Sequence, residues 1–234
     1  MRILITSVSQ PFPQKLATSL RRDDDILLTD RVPVSANGNF VQCDLSHDPT
    51  THDLARGVDA IVHWGQVDPG ADDSDPLDFQ TRCTYNLLWA AAEEGVSRCI
   101  YLSSLHIMES YDEELEVNEH WKPRPTTDVP QLSTHLGECV CREFARERKI
   151  DVICLRLGNL VWEEGQAAQS SSALFVENAV QAVRNALALD VHRAKPSWRI
   201  FHIQSAVPNA RFPTAAAQQI LGLSPANRSR SWTS

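Results

Sequence analysis

Two histidines are the candidates in this chain for moving a proton. His106 follows Ser104 by two residues in Tyr101-Leu-Ser-Ser-Leu-His-Ile-Met108, and His135 sits beside Thr134 at the start of a helical segment. An imidazole has an ordinary pKa suited to proton transfer near neutrality. No Ser-His-Asp order, metal motif or pair of carboxylates at a defined spacing accompanies either residue, so an ordinary surface or packed histidine stays an open reading for each. Six cysteines add little chemistry. Cys43, Cys99 and Cys154 fall within or at the ends of apolar runs, where a thiol behaves as a small hydrophobe. Cys139 and Cys141 form C-x-C on a helical stretch, where residues two apart face different directions. No further ligands converge on that pair, and no metal site is expected.

The elements that must position these residues alternate. Arg2–Thr6, Asp25–Thr29, Phe40–Gln42 and Ala60–Trp64 are short apolar runs with strand character. Helical spacing covers Gln14–Arg22, with Leu16, Ala17 and Leu20 on one face. A long helix is predicted from Leu77 to Glu94, closed by Gly95. Arg98–Ser104 reads as strand, Ser133–Arg148 as helix and Asp151–Asn159 as strand. Pro130 suits the first turn of that second helix, where its missing N–H costs little. Beyond Leu160, Leu174–Leu189 has helical spacing, Trp198–Ile203 is a strand, and Thr214–Leu221 is a helix before Gly222. Two polar loops, Val67–Pro76 and the acidic, then Pro-rich Glu109–Pro130, follow strand ends; each reads equally as ligand loop or solvent-exposed insertion. Strands alternating with helices imply an α/β fold, a doubly wound parallel sheet covered on both faces. Residues 1–160 form its Rossmann-like domain, and residues 161–234 a small C-terminal lobe integrated with it.

The order strand, loop, helix, strand between Val96 and Leu160, with Leu-Gly-Glu138, Thr84-Tyr-Asn-Leu-Leu88 and Arg156-Leu-Gly-Asn159, resembles the extended short-chain dehydrogenase/reductases, the NAD-dependent epimerase/dehydratase family. The resemblance implies a dinucleotide site at the first strand and a Tyr-x-x-x-Lys pair at the head of the catalytic helix. It makes Ser104 the counterpart of the catalytic serine or threonine, able to polarise a substrate hydroxyl or carbonyl. The Tyr and Lys positions hold Pro130 and Thr134, and none of the three tyrosines is followed four residues later by Lys. The glycine loop has become Ser7-Val-Ser-Gln10-Pro-Phe12-Pro13, with Ser7, Gln10 and Pro13 at the glycine positions. Pro11 and Pro13 carry no N–H. At φ > 0, Ser7 or Gln10 would cost roughly 1–2 kcal/mol each; two such losses weaken binding about a hundredfold at ~1.4 kcal/mol per decade. Asp30, beside Arg31, matches the acid that grips the adenine ribose. Asp44 and Leu45 match the segment beside the adenine, and Trp64 and Gly65 fall in the cofactor groove. His63, within that strand, reads more readily as a packed residue than a reactive one.

Two lost motifs lead to the expectation of a non-catalytic family member: a binding, regulatory or assembly subunit holding no NAD(P) or holding it weakly, with a small-molecule ligand in its cleft. The alternative is an NAD(P)-dependent epimerase/dehydratase or oxidoreductase acting on a sugar-type substrate with an altered site. A third reading is an enzyme of another class, built on Ser104, His106 and the acidic loop. The resemblance further implies a homodimer through helices 77–94 and 134–148. A net charge of −8 argues against nucleic-acid and anionic-membrane partners. No apolar run approaches the ~20 residues of a membrane span. The first residues are too short an apolar run for a signal peptide, so the cytoplasm is the expected compartment.

Overall fold

The computed structural model describes residues 1–35, 38–64, 72, 74–163, 170–190, 197–207 and 210–224. In chain order its elements are β1 (Arg2–Ile5), α1 (Pro11–Leu20), β2 (Asp25–Asp30), β3 (Asn39–Gln42), α2 (Pro49–Ala55) and β4 (Ala60–Trp64). Then come α3 (Ser74–Asp78), a π-helical turn (Phe79–Cys83), α4 (Thr84–Glu93), β5 (Arg98–Ser104), a 3-10 turn (Leu105–Met108) and α5 (Val129–Arg146). The chain continues through β6 (Asp151–Leu157), β7 (Asn159–Val161), β8 (Ala173–Phe175), α6 (Val176–Ala188), β9 (Trp198–Ile203) and α7 (Ala215–Ile220).

Seven strands form one parallel sheet in the order β3-β2-β1-β4-β5-β6-β9. Successive side chains of a strand point to opposite faces, and the core divides accordingly. Ile3, Ile5, Ile100 and Leu102 pack on one face with residues of α1 and α6. Leu4, Cys99 and Tyr101 pack on the other with residues of α2, α4 and α5. Because both faces are covered, all seven residues of β6 are buried, as an interior parallel strand requires. This is the doubly wound sheet expected from the alternation. The C-terminal segment is part of it: β9 pairs with β6, and β7 and β8 form a separate two-stranded ribbon.

The local differences have local causes. Helix α1 starts at Pro11 rather than Gln14, because prolines are admitted in a first turn whose N–H groups lack intrahelical acceptors. The stretch read as one helix from Leu77 is α3, the π turn and α4 in continuous succession. Helix α2 was missed, although its start is legible: Asp48 accepts the Thr50 N–H at 2.9 Å, and Pro49 follows it. Helix α5 begins at Val129 and takes Pro130 into its first turn. It lies close on β5 at Gly137, where an added Cβ would run into the Tyr101 hydroxyl and Gln80 Oε1.

Candidate functional site

The strand order reverses between β1 and β4, which leaves a crevice beyond their C-terminal ends. Ser7 stands there with φ 56. It therefore keeps the left-handed backbone that a glycine would adopt most easily, and its hydroxyl donates to the Trp64 carbonyl. Gln10, at φ −83 and ψ 145, is extended. The strain expected of both residues thus falls on Ser7 alone. Phe12 is buried, with its ring 5.3 Å from that of Trp64, so the two large side chains pack together in the core beside Ser7. Among the described residues the Trp64 indole N–H has no partner.

His63 holds the two strands in place. Its Nδ1 lies 2.9 Å from Thr6 Oγ1 and its Nε2 2.9 Å from Thr84 Oγ1. Thr84 donates its own hydroxyl proton to the Phe79 carbonyl at 3.1 Å. The network therefore assigns the proton to Nε2, which donates to Thr84, and leaves Nδ1 to accept from Thr6. Burial pulls the His63 pKa down to about 3. It is a neutral support, packed rather than reactive.

Asp30 closes β2 with its carboxylate against the loop: Oδ2 accepts the Ser9 N–H at 2.8 Å and Oδ1 the Val32 N–H at 3.2 Å. Val8 and Gln10 also spend their N–H groups within the protein, on Thr29 and Ser7 carbonyls. Arg31 forms a two-pronged bond to Asp75 at 2.7 Å and lies 4.9 Å over the Phe79 ring. That hydrogen bond raises the Arg31 pKa and lowers that of Asp75. Leu45 is buried at φ 51, its carbonyl held by Asn86 Nδ2 at 2.9 Å, while Asp44 is exposed. Gly65 lies outside the described residues.

A dinucleotide can be tested against this frame. Ser7 preserves the course of the loop, and Asp30 retains the lone pairs its two N–H partners leave free. Leu45 is buried beyond β3, and the start of α1 presents Phe12 as a residue between two prolines. The structure brings Ser7, Phe12, Asp30 and Trp64 together at the ends of β1, β2 and β4, as the sequence spacing suggests.

The second half of the site lies at the end of β5. Ser104 caps the 3-10 turn, its Oγ accepting the His106 N–H at 3.2 Å. Thr134 is buried and donates its hydroxyl to the Pro130 carbonyl at 2.7 Å. Behind them lies a network that sequence reasoning missed. Glu138 accepts Arg156 Nε and Nη2 at 2.8 Å each and the Ser103 hydroxyl at 2.6 Å. Arg156 Nη1 reaches Met108 Sδ at 3.4 Å. Glu138 and Arg156 stand in the two segments that carried the family resemblance, but nothing in their spacing announces that they pair. The thiols are inert by comparison: all six cysteines are free, and burial raises Cys83 to about 11 and Cys99 to about 12. His135 is also pulled below its usual range by burial. No three His, Cys, Asp or Glu side chains gather as a metal cluster among the described residues, and none of the described helices is long and apolar enough to cross a membrane.

Comparison with known proteins gives this geometry a lineage. A protein of Pseudomonas syringae pv. tomato named uronate dehydrogenase is 26% identical over 191 residues, 80% of this chain and 69% of its own. The fold matches that of glucuronic acid dehydrogenase from Chromohalobacter salexigens with a TM-score of 0.84 at 23% identity, covering 99% of this chain and 86% of the other. A variant of uronate dehydrogenase from Agrobacterium tumefaciens, complexed with NAD, matches with a TM-score of 0.83 at 20% identity, over 97% and 84% of the two chains. These findings correct the expectation of no NAD(P) or weak NAD(P). One structure of this fold is complexed with NAD, and Ser7 here adopts the left-handed backbone that the family's glycine supplies. The match to the family described as NAD dependent epimerase/dehydratase runs over residues 14–199, well beyond half the sequence, and the chain belongs to that family.

Proposed function

We propose that this protein is an NAD(P)-dependent oxidoreductase acting on a sugar acid, with an altered proton-transfer site. The observation that carries the reading is the crevice between β1 and β4, where Ser7 keeps the left-handed turn and Asp30 stands at the end of β2. Relatives named uronate dehydrogenase support the substrate class, and a non-catalytic scaffold accounts less well for that kinship. In this reading Asp30 takes ribose hydroxyls, Asp44 and Leu45 flank the adenine, and Ser7 and Phe12 lie along the pyrophosphate. Bound there, the nicotinamide nucleotide supplies the hydride acceptor. Ser104 Oγ hydrogen-bonds the reacting hydroxyl and orients it. Arg156 and Glu138, fully buried, brace β6 and α5 behind that serine. Calorimetry with NAD and NADP, followed by reduced-nucleotide formation with glucuronate, tests the reading. Saturable binding and turnover are expected; absence of both would overturn it.

The same family frame supports a homodimer through α4 and α5. Their outer faces leave a groove of about 430 Å³ lined by Tyr85, Trp89, Val140 and Phe144, with Glu143, Glu147 and Lys149 at its rim. Tyr85 is 44% exposed although its ring stacks on Trp89 and meets Phe144 edge-on. A twofold contact would cover these rings in both copies and set acids of one copy near Lys149 of the other. Light scattering is expected to give a mass near twice 26.2 kDa, reduced to the single-chain value by Tyr85→Glu. A single-chain mass for the unaltered protein at micromolar concentration would refute the pairing.

A further inference from the structure

His106 has an arrangement that no other histidine among the described residues shares. Its Nε2 lies 3.1 Å from Glu109 Oε2 and 3.1 Å from the Gln131 side-chain nitrogen. The Gln131 amide is oriented by its other end. Its Oε1 accepts the Thr126 N–H at 3.0 Å and lies 3.4 Å from the Thr126 hydroxyl, so the NH₂ group is the one that faces the imidazole. One ring nitrogen thus meets a donor and an acceptor at equal distance. With its lone pair exposed, Nε2 accepts from Gln131 and the ring proton sits on Nδ1. With a proton added, Nε2–H donates to Glu109. Nε2 therefore has a partner both as acceptor and as donor without movement of the ring.

The position suits the missing chemistry. Gln131 adjoins Pro130, which stands where the family keeps its tyrosine, and the His106 N–H is held by Ser104 Oγ. The imidazole is 41% exposed, whereas Gln131 is 8% exposed. The imidazole is therefore open to a substrate, and the amide that orients it is fixed in the protein.

We propose that His106 is the general base of this enzyme, taking the substrate proton that the family's tyrosine would take, with Glu109 and Gln131 as positioning residues. The inference rests on the oxidoreductase reading above. In the step, the substrate C–H bond breaks and its electron pair leaves as hydride to the oxidised nicotinamide nucleotide. The O–H bond breaks as its proton passes to His106 Nε2, and the carbon–oxygen double bond forms. The substrate loses two electrons, the nucleotide gains them, and Nε2 gives up the Gln131 bond as its new N–H donates to Glu109.

Two measurements test this. Nitrogen-15 spectra of the His106 ring in neutral solution are expected to show the Nδ1–H tautomer, and Gln131→Leu should convert it to the Nε2–H tautomer donating to Glu109. His106→Gln should lower glucuronate turnover by about 10²–10⁴-fold while NAD affinity by calorimetry stays within about twofold, since acid/base catalysis is worth that much and this ring holds no cofactor. The limb of the pH–rate profile belonging to the base should vanish with it. A tautomer that ignores Gln131→Leu, or turnover that survives His106→Gln, would overturn the assignment of His106 and leave the oxidoreductase reading standing. An unaltered protein that binds NAD and oxidises no sugar acid would instead overturn that reading, and the role of His106 with it.

Discussion

Truncating Glu138 to alanine is expected to destabilise the protein by about 3–5 kcal/mol, because it strands a buried guanidinium. Glu138 and Arg156 have side chains only 5% and 2% exposed. Among the described residues, Arg156 donates twice to that carboxylate and otherwise only to the weakly accepting sulfur of Met108. With the carboxylate gone, a buried guanidinium loses its two charge-assisted hydrogen bonds, and the Ser103 hydroxyl loses its acceptor too. The loss belongs to the broken pair and does not measure the worth of the intact one. Replacing both partners by apolar residues, Glu138→Leu with Arg156→Met, should therefore recover most of the stability lost by the single change. Urea denaturation of the two variants checks this. Near-equal destabilisation of single and double variants would show that shape, not charge, governs the site. The double variant should also lower turnover, since Ser103 precedes Ser104 and the pair braces the end of β5.

The legible parts of this molecule were those set by local pattern. Runs such as Ile3-Leu-Ile5 and the Val-Ile-Cys-Leu stretch of β6 fit a sheet covered on both faces, and helical spacing located α5 and α6 despite Pro130. The strand ends at Asp30, Trp64 and Ser104 could be located for the same reason. Conformation beyond a strand end could not. Ser7 was read as an obstacle because its φ is absent from the sequence, and the hydrogen bond that accompanies it joins residues 57 apart in the chain. The partners of His106 illustrate the same limit. Glu109 is three residues away and within reach of inspection, but Gln131 is 25 residues away and its orientation depends on the Thr126 backbone. Glu138 and Arg156 lie in two segments that carry the family resemblance, yet their spacing of 18 residues does not announce that they pair. A buried pair is specified by two elements packing together, here α5 on β5 and β6, and no one-dimensional period records that.

Lowering the pH from neutrality to about 5 should remove about 4 kcal/mol of folding stability, through His63 and His202. Burial holds both pKa values at about 3 in the folded protein, with Arg156 adding to the effect at His202, against an ordinary value of 6.5. The unfolded chain therefore binds these protons first. The neutral rings contribute fully above pH 6.5, and their contribution falls as pH drops from 6.5 toward 3. At about 1.4 kcal/mol per pH unit, each group loses about 2 kcal/mol by pH 5. His135, pulled down by burial as well, acts in the same direction. Carboxylates held low by hydrogen bonds, such as Asp75 and Asp78, begin to matter only nearer their ordinary 3.8, so the window above pH 5 belongs to the histidines. The two rings should separate under mutation. His63 is bonded at both nitrogens, whereas both ring nitrogens of His202 are buried without a partner among the described residues. Replacing His202 by leucine therefore gives up no hydrogen bond and takes away a proton site. The variant should match or exceed the unaltered protein at pH 5 and show about half its acid sensitivity, whereas His63→Leu should be weaker at every pH because Thr6 and Thr84 lose their shared partner. Urea midpoints at pH 7 and pH 5 for the three proteins decide it; equal pH dependence in all three would remove the histidines as the cause.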